Sequence, residues 1–332
     1  MTFRLERTPA GVDVVVTGNW CPKARAALVN GKADGLVLNC ARGFCEPDLE
    51  FLRGLPVRRL DIICHWLTDF SPLYTLGDCL VSLGVTRSPK ARIDLAQFPL
   101  LTELHANWPC VKASFAHVSA LERLYLGSYA ERDFGPLTHL TGLTWLMMKD
   151  YPSIRSLDGM EYFPKLRELE VPLARYLADI TVLERLPTRV LENLGFASCR
   201  KIVDIGPVAS CTGLQDFDLS EGATIPTVAP LGGLVSLRRL SLYGSTNVVD
   251  GDLGPIAGLP NLRVLAMRDR KHYRPSAKLL IDAADQRRWA EDGTTEEEEL
   301  RVEAEETRLM TEQPADWRYR IAVLNAGKGR RG

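Results

Sequence analysis

Between Leu121 and Met148 the apolar residues fall in a repeating frame, L-x-x-L-x-L/M. Leu121, Leu124 and Leu126 return 22 residues later as Leu143, Leu146 and Met148. The frame continues backward as Leu101/Leu104/Ala106, Leu80/Leu83/Val85, Val57/Leu60/Ile62 and Ala33/Leu36/Leu38. It continues forward as Leu166/Leu169/Val171, Leu191/Leu194/Phe196, Leu214/Phe217/Leu219, Leu237/Leu240/Leu242 and Leu262/Leu265/Met267. These are about eleven copies spaced 20 to 25 residues apart. A fixed period in this range marks a repeat solenoid. The last two apolar residues of each copy stand two apart, so both point to one face of a short strand and their neighbours to the other. One copy buries too little apolar surface to fold alone, whereas stacked copies share a continuous core.

A second signal recurs between the strands. Asp69-Phe70-Ser71-Pro72-Leu73, Asp133-Phe134-Gly135-Pro136-Leu137, Asp204-Ile205-Gly206-Pro207-Val208 and Asp252-Leu253-Gly254-Pro255-Ile256 share D-[FIL]-[GS]-P-[LVI]. Proline suits the first position of a helical turn, with the Ser or Gly before it as cap. Apolar residues then follow at intervals of three, as in Leu253, Ile256, Leu259 and Leu262, which predicts a 3-10 or single-turn helix on the side opposite the strand.

The ends break the pattern. Residues 1–32 read as a hairpin around Thr8-Pro9-Ala10-Gly11 followed by a short helix near Pro22 to Val29, an N-terminal cap over the first coil. Repeats fill 33–268. Residues 269–313 read as a helical C-terminal cap. Its first helix starts after Pro275-Ser276, reaches about Ala290 and carries Leu279, Leu280, Ala283, Ala284 and Arg287 on one face. A second, acidic helix is expected from Glu296 to Met310. Residues 276–313 hold 12 acidic and 5 basic side chains, a net of −7. Residues 314–332 form a partly disordered tail.

Composition narrows the class. The chain has 332 residues, 45% hydrophobic and 25% charged, with a formal net charge of −1. That balance calls for neither nucleic acid nor a membrane surface. The start, MTFRLERTPAGVDVVVTG, lacks the apolar segment of a signal peptide, and no run approaches the roughly 18 apolar residues of a membrane span. A cytoplasmic location is expected. The eight cysteines contain no C-x-x-C pair, so most are expected as small core residues. Cys199 stands where the turn after a strand needs a backbone partner.

The L-x-x-L-x-L frames and the apolar triplets after each proline, over about residues 33–268, resemble the leucine-rich repeat proteins of the short-repeat, bacterial internalin-like class. The resemblance implies an α/β solenoid: a horseshoe with about 10–11 parallel concave strands, short 3-10 or helical turns on the convex side and a helical C-terminal cap. It implies protein binding on the concave face without catalysis or cofactor. The chain departs from the family where an Asn ladder is common, holding His65, Tyr129, Ala174, Cys199 and Gly222 among others at those places.

The frame also writes out the concave face. Just before the second frame residue stand Arg59, Ser82, Glu103, Arg123, Trp145, Glu168, Asn193, Asp216, Arg239 and Val264. Between the inward pair lie Asp61, Gly84, His105, Tyr125, Met147, Glu170, Gly195, Asp218, Ser241 and Ala266. Two clusters emerge. His105, Tyr125, Trp145 and Met147, with Arg123 alongside and Trp108 one residue beyond the grid, have the composition of a binding hot spot on a face expected to be wet. The plainer alternative is edge residues covering a neighbouring loop. Glu168, Glu170, Asp216 and Asp218 put four carboxylates on nearby coils around small Asn193 and Gly195, suited to a partner with a basic patch or simply to a solvated surface.

The expected function is therefore a non-enzymatic module that captures a protein partner, as an inhibitor, immunity factor or regulatory subunit. One rival is a small-molecule or cation receptor using the four carboxylates, although Ca²⁺ asks for six to eight oxygens. Another is a cysteine-dependent hydrolase built on Cys64, His65 and Asp69 or on His105 and Cys110, for which the frame supplies no oriented third group.

Overall fold

The structure is a computed structural model and describes residues 2–86, 92–187 and 189–292. Each apolar frame becomes one strand. The chain starts with β1 (Phe3–Thr8) and β2 (Gly11–Val16), then helix α1 (Pro22–Val29), β3 (Gly35–Asn39), β4 (Arg59–Ile63), β5 (Ser82–Thr86) and β6 (Glu103–Asn107). After helix α2 (Trp108–Val111) come β7 (Arg123–Gly127), β8 (Trp145–Lys149), β9 (Glu168–Glu170), β10 (Asn193–Gly195), β11 (Asp216–Asp218), β12 (Thr224–Ile225), β13 (Arg239–Leu242) and β14 (Asn247–Val248). Helix α3 (Gly254–Ala257), β15 (Val264–Met267) and helix α4 (Ala277–Asp292) complete the described chain.

Thirteen strands form one sheet in the order β1 to β11, β13, β15, while β12 and β14 pair separately on the coil's flank. Only β1 and β2 are antiparallel, and from β2 onward all neighbours run parallel. The register is the one the frame predicts. Arg59 lies beside Ser82, Arg123 beside Trp145, Asn193 beside both Glu168 and Asp216, and Arg239 beside Val264. The frame residues are buried in one continuous core that runs from Val14 to Ala284.

The convex turns are short 3-10 helices such as Ser71–Leu76, Gly135–Leu137 and Gly206–Ser210, with a single α-turn at α3. Their capping corrects the expected assignment. The aspartate that opens each D-x-[GS]-P motif does the work, and the Ser or Gly before proline does not: Asp69, Asp133, Asp204 and Asp252 each accept a hydrogen bond from the amide two residues on, at 2.8 Å. An aspartate reaches its own backbone two residues ahead more readily than a residue already inside the turn. For Asp69 that amide hydrogen bond also holds the carboxyl below the usual carboxylate range.

Without an Asn ladder, the turns after the strands are bonded differently from coil to coil. The Cys199 thiol donates to the Val171 carbonyl at 3.0 Å. Tyr129 donates to Asp133 O at 2.9 Å, and the Thr246 hydroxyl bridges Leu219 O and Gly222 N. Backbone groups buried at these turns cost too much to leave unpaired.

At the N-terminal edge, β2 continues the parallel sheet and α1 buries Ala24, Ala27 and Leu28. At the other edge, α4 turns Ala277, Leu280 and Ala284 to the last coil, whereas Leu279, expected on that face, is exposed. Asp269 accepts from the Ala277 amide at 2.9 Å and so caps the start of α4. The expected acidic helix of 296–310 and the tail of 314–332 lie outside the described residues.

Candidate functional site

The concave face divides into two parts of opposite character. Along β3 and β4 every residue is buried on both faces. Along β9, β10 and β11 only the middle residue is buried, and the flanking positions reach solvent. Strand length changes with it, from five residues in β3 to β8 to three in β9 to β11. From β7 on, the chain leaves several strands through a residue at positive φ: Ser128, Asp150, Leu173, Ser198, Glu221 and Gly244 each stand two positions after the last frame residue. Only Gly244 adopts that conformation without strain, so packing imposes the sharp exit on the others.

The closed part is organised by Arg59. Its guanidinium reaches Asp13 Oδ1 at 2.9 Å, Asp34 Oδ2 at 2.6 Å and the Ala10 carbonyl at 2.7 Å. Burial alone would push the Asp34 carboxyl up, but the hydrogen bond and charge of Arg59 outweigh it and hold the group below its ordinary value. The arginine is consumed in tying β4 back to the N-terminal hairpin. It is not presented to a partner.

The aromatic cluster is next, and here the expectation of a wet face fails. His105 is 2% exposed, Trp145 5% and Met147 7%. The His105 ring stacks on Tyr125 with centroids 5.4 Å apart and on Trp145 at 6.2 Å, and the Arg123 guanidinium lies over Trp145 at 4.6 Å. Strands about 4.8 Å apart on a concave surface bring side-chain tips closer than their Cα atoms, so large rings shield one another. Tyr125 is half-buried, and burial, helped by Asp150, pushes its hydroxyl up to about 12. His105 also faces Glu103 across 3.3 Å, and Arg123 stands 3.7 Å from the same carboxylate.

Trp108 is not part of this face. It starts α2, is 2% exposed, and packs in the core against Phe115 and Tyr129 at 5.2 and 4.9 Å. Its indole N–H donates to Glu131 at 2.8 Å. Two features of the sequence account for this: Pro109 places Trp108 at the first position of a helical turn, and the small frame residue Ala106 leaves its coil short of apolar bulk.

The open part forms a groove of about 310 Å³ over β9 to β13, lined by Glu170, Asn193, Gly195, Asp216, Asp218 and Arg239 among others. Its floor is low because Gly195 has no side chain; a Cβ there would stand 3.3 Å from Glu170 Cγ. Glu168, Glu170, Asp216 and Asp218 are all half-buried on neighbouring coils. Asp216 Oδ1 is 3.4 Å from Arg239 Nε, and Asp218 Oδ1 accepts from the Ser220 amide at 2.7 Å. Ser220 and Ser241 share a hydroxyl contact of 2.5 Å. The grid therefore brings the acidic cluster together as expected, and adds Arg239 at its edge.

Among the described residues, no three His, Cys, Asp or Glu side chains converge in a way that could hold a metal ion. Burial raises the thiols of Cys64 and Cys110, and it takes Cys211 to about 11 and Cys199 to about 12, away from the thiolate that nucleophilic chemistry needs. His65 lies 3.7 Å from the Cys40 sulfur, and Asp69 is engaged in its turn. All eight cysteines are free thiols, Cys40 and Cys45 included. No helix among the described residues is long and apolar enough to cross a membrane.

The register, the one-strand coils and the capped convex turns define a leucine-rich repeat solenoid. Among solved structures it is similar to the internalin InlF of Listeria monocytogenes, at 24% identity and a TM-score of 0.52 over 64% of this chain and 60% of that one. The functional domain of InlJ from the same organism matches at 21% identity and a TM-score of 0.52, over 70% of this chain and 49% of that one. The chain thus spans three-fifths and about half of the lengths of these two neighbours. At such identities the likeness establishes the internalin-like fold. No family model matches the sequence, and no curated protein does either.

Proposed function

We propose that this chain is a protein-binding module that receives a basic segment of a protein partner in the groove over β9 to β13. The observation that carries this reading is the groove itself: Glu170, Asp216 and Asp218 edge a trough whose floor is kept low by Asn193 and Gly195, with Glu168 beside Asn193 in register. Carboxylates arrayed across strands attract and orient a cationic segment, and they act mainly on the association rate. On the adjoining coils Arg123 and half-buried Tyr125 are the members of the aromatic cluster that reach solvent, with buried His105 and Trp145 stacked against them and Met147 beside Tyr125 in register. Trp108 has no contact role in this reading. Capture without chemistry suits an inhibitor, an immunity factor or a regulatory subunit. Residues 1–32 and 269–313 act as the caps that keep the array's ends from exposing core and strand edge.

The test is affinity capture from the native cell with the full chain and with Glu170→Lys combined with Asp218→Lys. The expected result is a partner retained by the parent and lost by the double variant, with both proteins melting alike. Equal recovery by the two would move the site off the groove.

A further inference from the structure

The loops that leave β8, β9 and β10 build a second surface, on the flank of the coil, from residues that the sequence keeps far apart. Tyr151 and Arg155 follow β8, Arg175 and Tyr176 follow β9, and Arg200 and Lys201 follow β10. All six are exposed, Tyr151 at 55% and Tyr176 at 50%. They interlock between coils. Arg175 lies over the Tyr151 ring at 4.4 Å, and Arg155 and Lys201 lie over Tyr176 at 5.7 and 5.8 Å. Arg200 donates to the Glu221 carbonyl at 3.4 Å, which turns it into the same row.

Among the described residues none of the four cations makes an ion pair, whereas Arg167 and Arg185 of the same coils pair with Glu192 and with Asp158 and Glu161. Four cations without an ion pair thus lie together within three coils of a chain whose net charge is −1. The tyrosine faces limit the freedom of the long cationic side chains, so less entropy is lost when an anion binds. Tyr151 is also held at φ +58 immediately after Asp150 at φ +58, a costly conformation for a residue whose ring packs only outward.

We propose that this flank is a docking site for an acidic protein segment, with Arg155, Arg175, Arg200 and Lys201 gripping consecutive carboxylates and Tyr151 and Tyr176 holding the grip in place. Charge complementarity selects the sign of the partner, because guanidinium forks match carboxylates in geometry as well as charge. Extent and net charge select its class. Three coils span only about 10 Å, enough for a short acidic run, and a sequence pI near 6.5 provides none of the general positive field on which nucleic-acid binding relies. The site is independent of the groove reading, since it lies on another face and takes the opposite charge.

A fluorescein-labelled peptide of alternating Glu and Gly, titrated with the full chain, tests it. The parent is expected to bind the peptide more tightly than an oligothymidine of equal charge, and to lose affinity between about 50 and 500 mM NaCl as screening shortens. Arg175→Glu with Lys201→Glu should weaken binding about tenfold or more, with an unchanged circular-dichroism spectrum. The milder Arg175→Gln with Lys201→Gln serves if the reversal does not fold. Tyr151→Ala with Tyr176→Ala should weaken it about threefold. No binding by the parent, equal affinity in the cation variants, or tighter binding of oligothymidine would overturn the proposal.

Discussion

Arg59 and Arg239 occupy the same column of the same sheet and lead different lives. Arg59 sits on β4 in the closed part, 8% exposed, locked between Asp13 and Asp34. Arg239 sits on β13 at the groove, with a third of its side chain exposed and one loose contact to Asp216 at 3.4 Å. The repeat frame fixes where a side chain stands, and the depth of the coil around it decides whether that position serves the fold or faces a partner. In β3 and β4 the strands are five residues long and Arg59 with Asp13 fills the space over Gly35, which closes the concave face. In β9 to β11 three-residue strands and small residues at positions 193 and 195 leave it open.

What the two parts share should show the largest effect. Leu124 and Leu194 are both fully or almost fully buried frame residues. Leu124→Asp and Leu194→Asp should each unfold the array, because an unpaired buried carboxylate costs several kcal/mol. Soluble, cooperative variants in urea titrations would reverse the inward and outward assignment.

The contrast itself comes next. Arg59→Ala takes the guanidinium away from the buried Asp13 carboxylate and should cost about 3–5 kcal/mol, while Arg239→Ala should cost no more than about 1 kcal/mol. Equal losses in denaturant would erase the distinction between the two parts. A convex turn should be of the same order in both parts: Asp69→Ala and Asp204→Ala each remove the acceptor of the amide two residues on and should each cost about 1 kcal/mol.

The smallest effect concerns acid. The folded carboxyl of Asp34 lies below its unfolded value, so its contribution to stability is present above the unfolded pKa near 3.9 and fades as pH falls through the folded one. With Asp34 partly exposed the effect is modest. Amide exchange in β1 to β4 should quicken in that window relative to β9 to β13, and Asp34→Asn should remove the difference.

The sequence carried the fold well, because one buried frame repeated eleven times sets strand, register and sidedness together. It carried the site less evenly. The acidic groove was legible, since Glu168, Glu170, Asp216 and Asp218 share two columns. The burial of His105, Trp145 and Met147 was not, because a column gives direction and says nothing of how neighbouring rings cover one another on a curved surface. Trp108 was misplaced for a local reason: it enters a helical turn one residue after the strand ends. The capping role of Asp69, Asp133, Asp204 and Asp252 could have been found, as Asp two residues ahead of each turn's first amide is a recognisable turn signal. The flank of Tyr151, Arg155, Arg175, Tyr176, Arg200 and Lys201 had no such signal, since loops of unequal length put its members at changing offsets from the frame.

The most direct measurement compares one column inside the groove and away from it. Thr86 ends β5 and Ala197 lines the groove, each immediately after the inward pair of its strand. With a benzophenone amino acid placed at one position or the other, irradiation in the presence of the captured partner should give a covalent adduct from position 197 and none from position 86. An adduct at 86 with none at 197 would contradict the account, because the partner would then lie outside the groove, next to the closed strands β3 and β4.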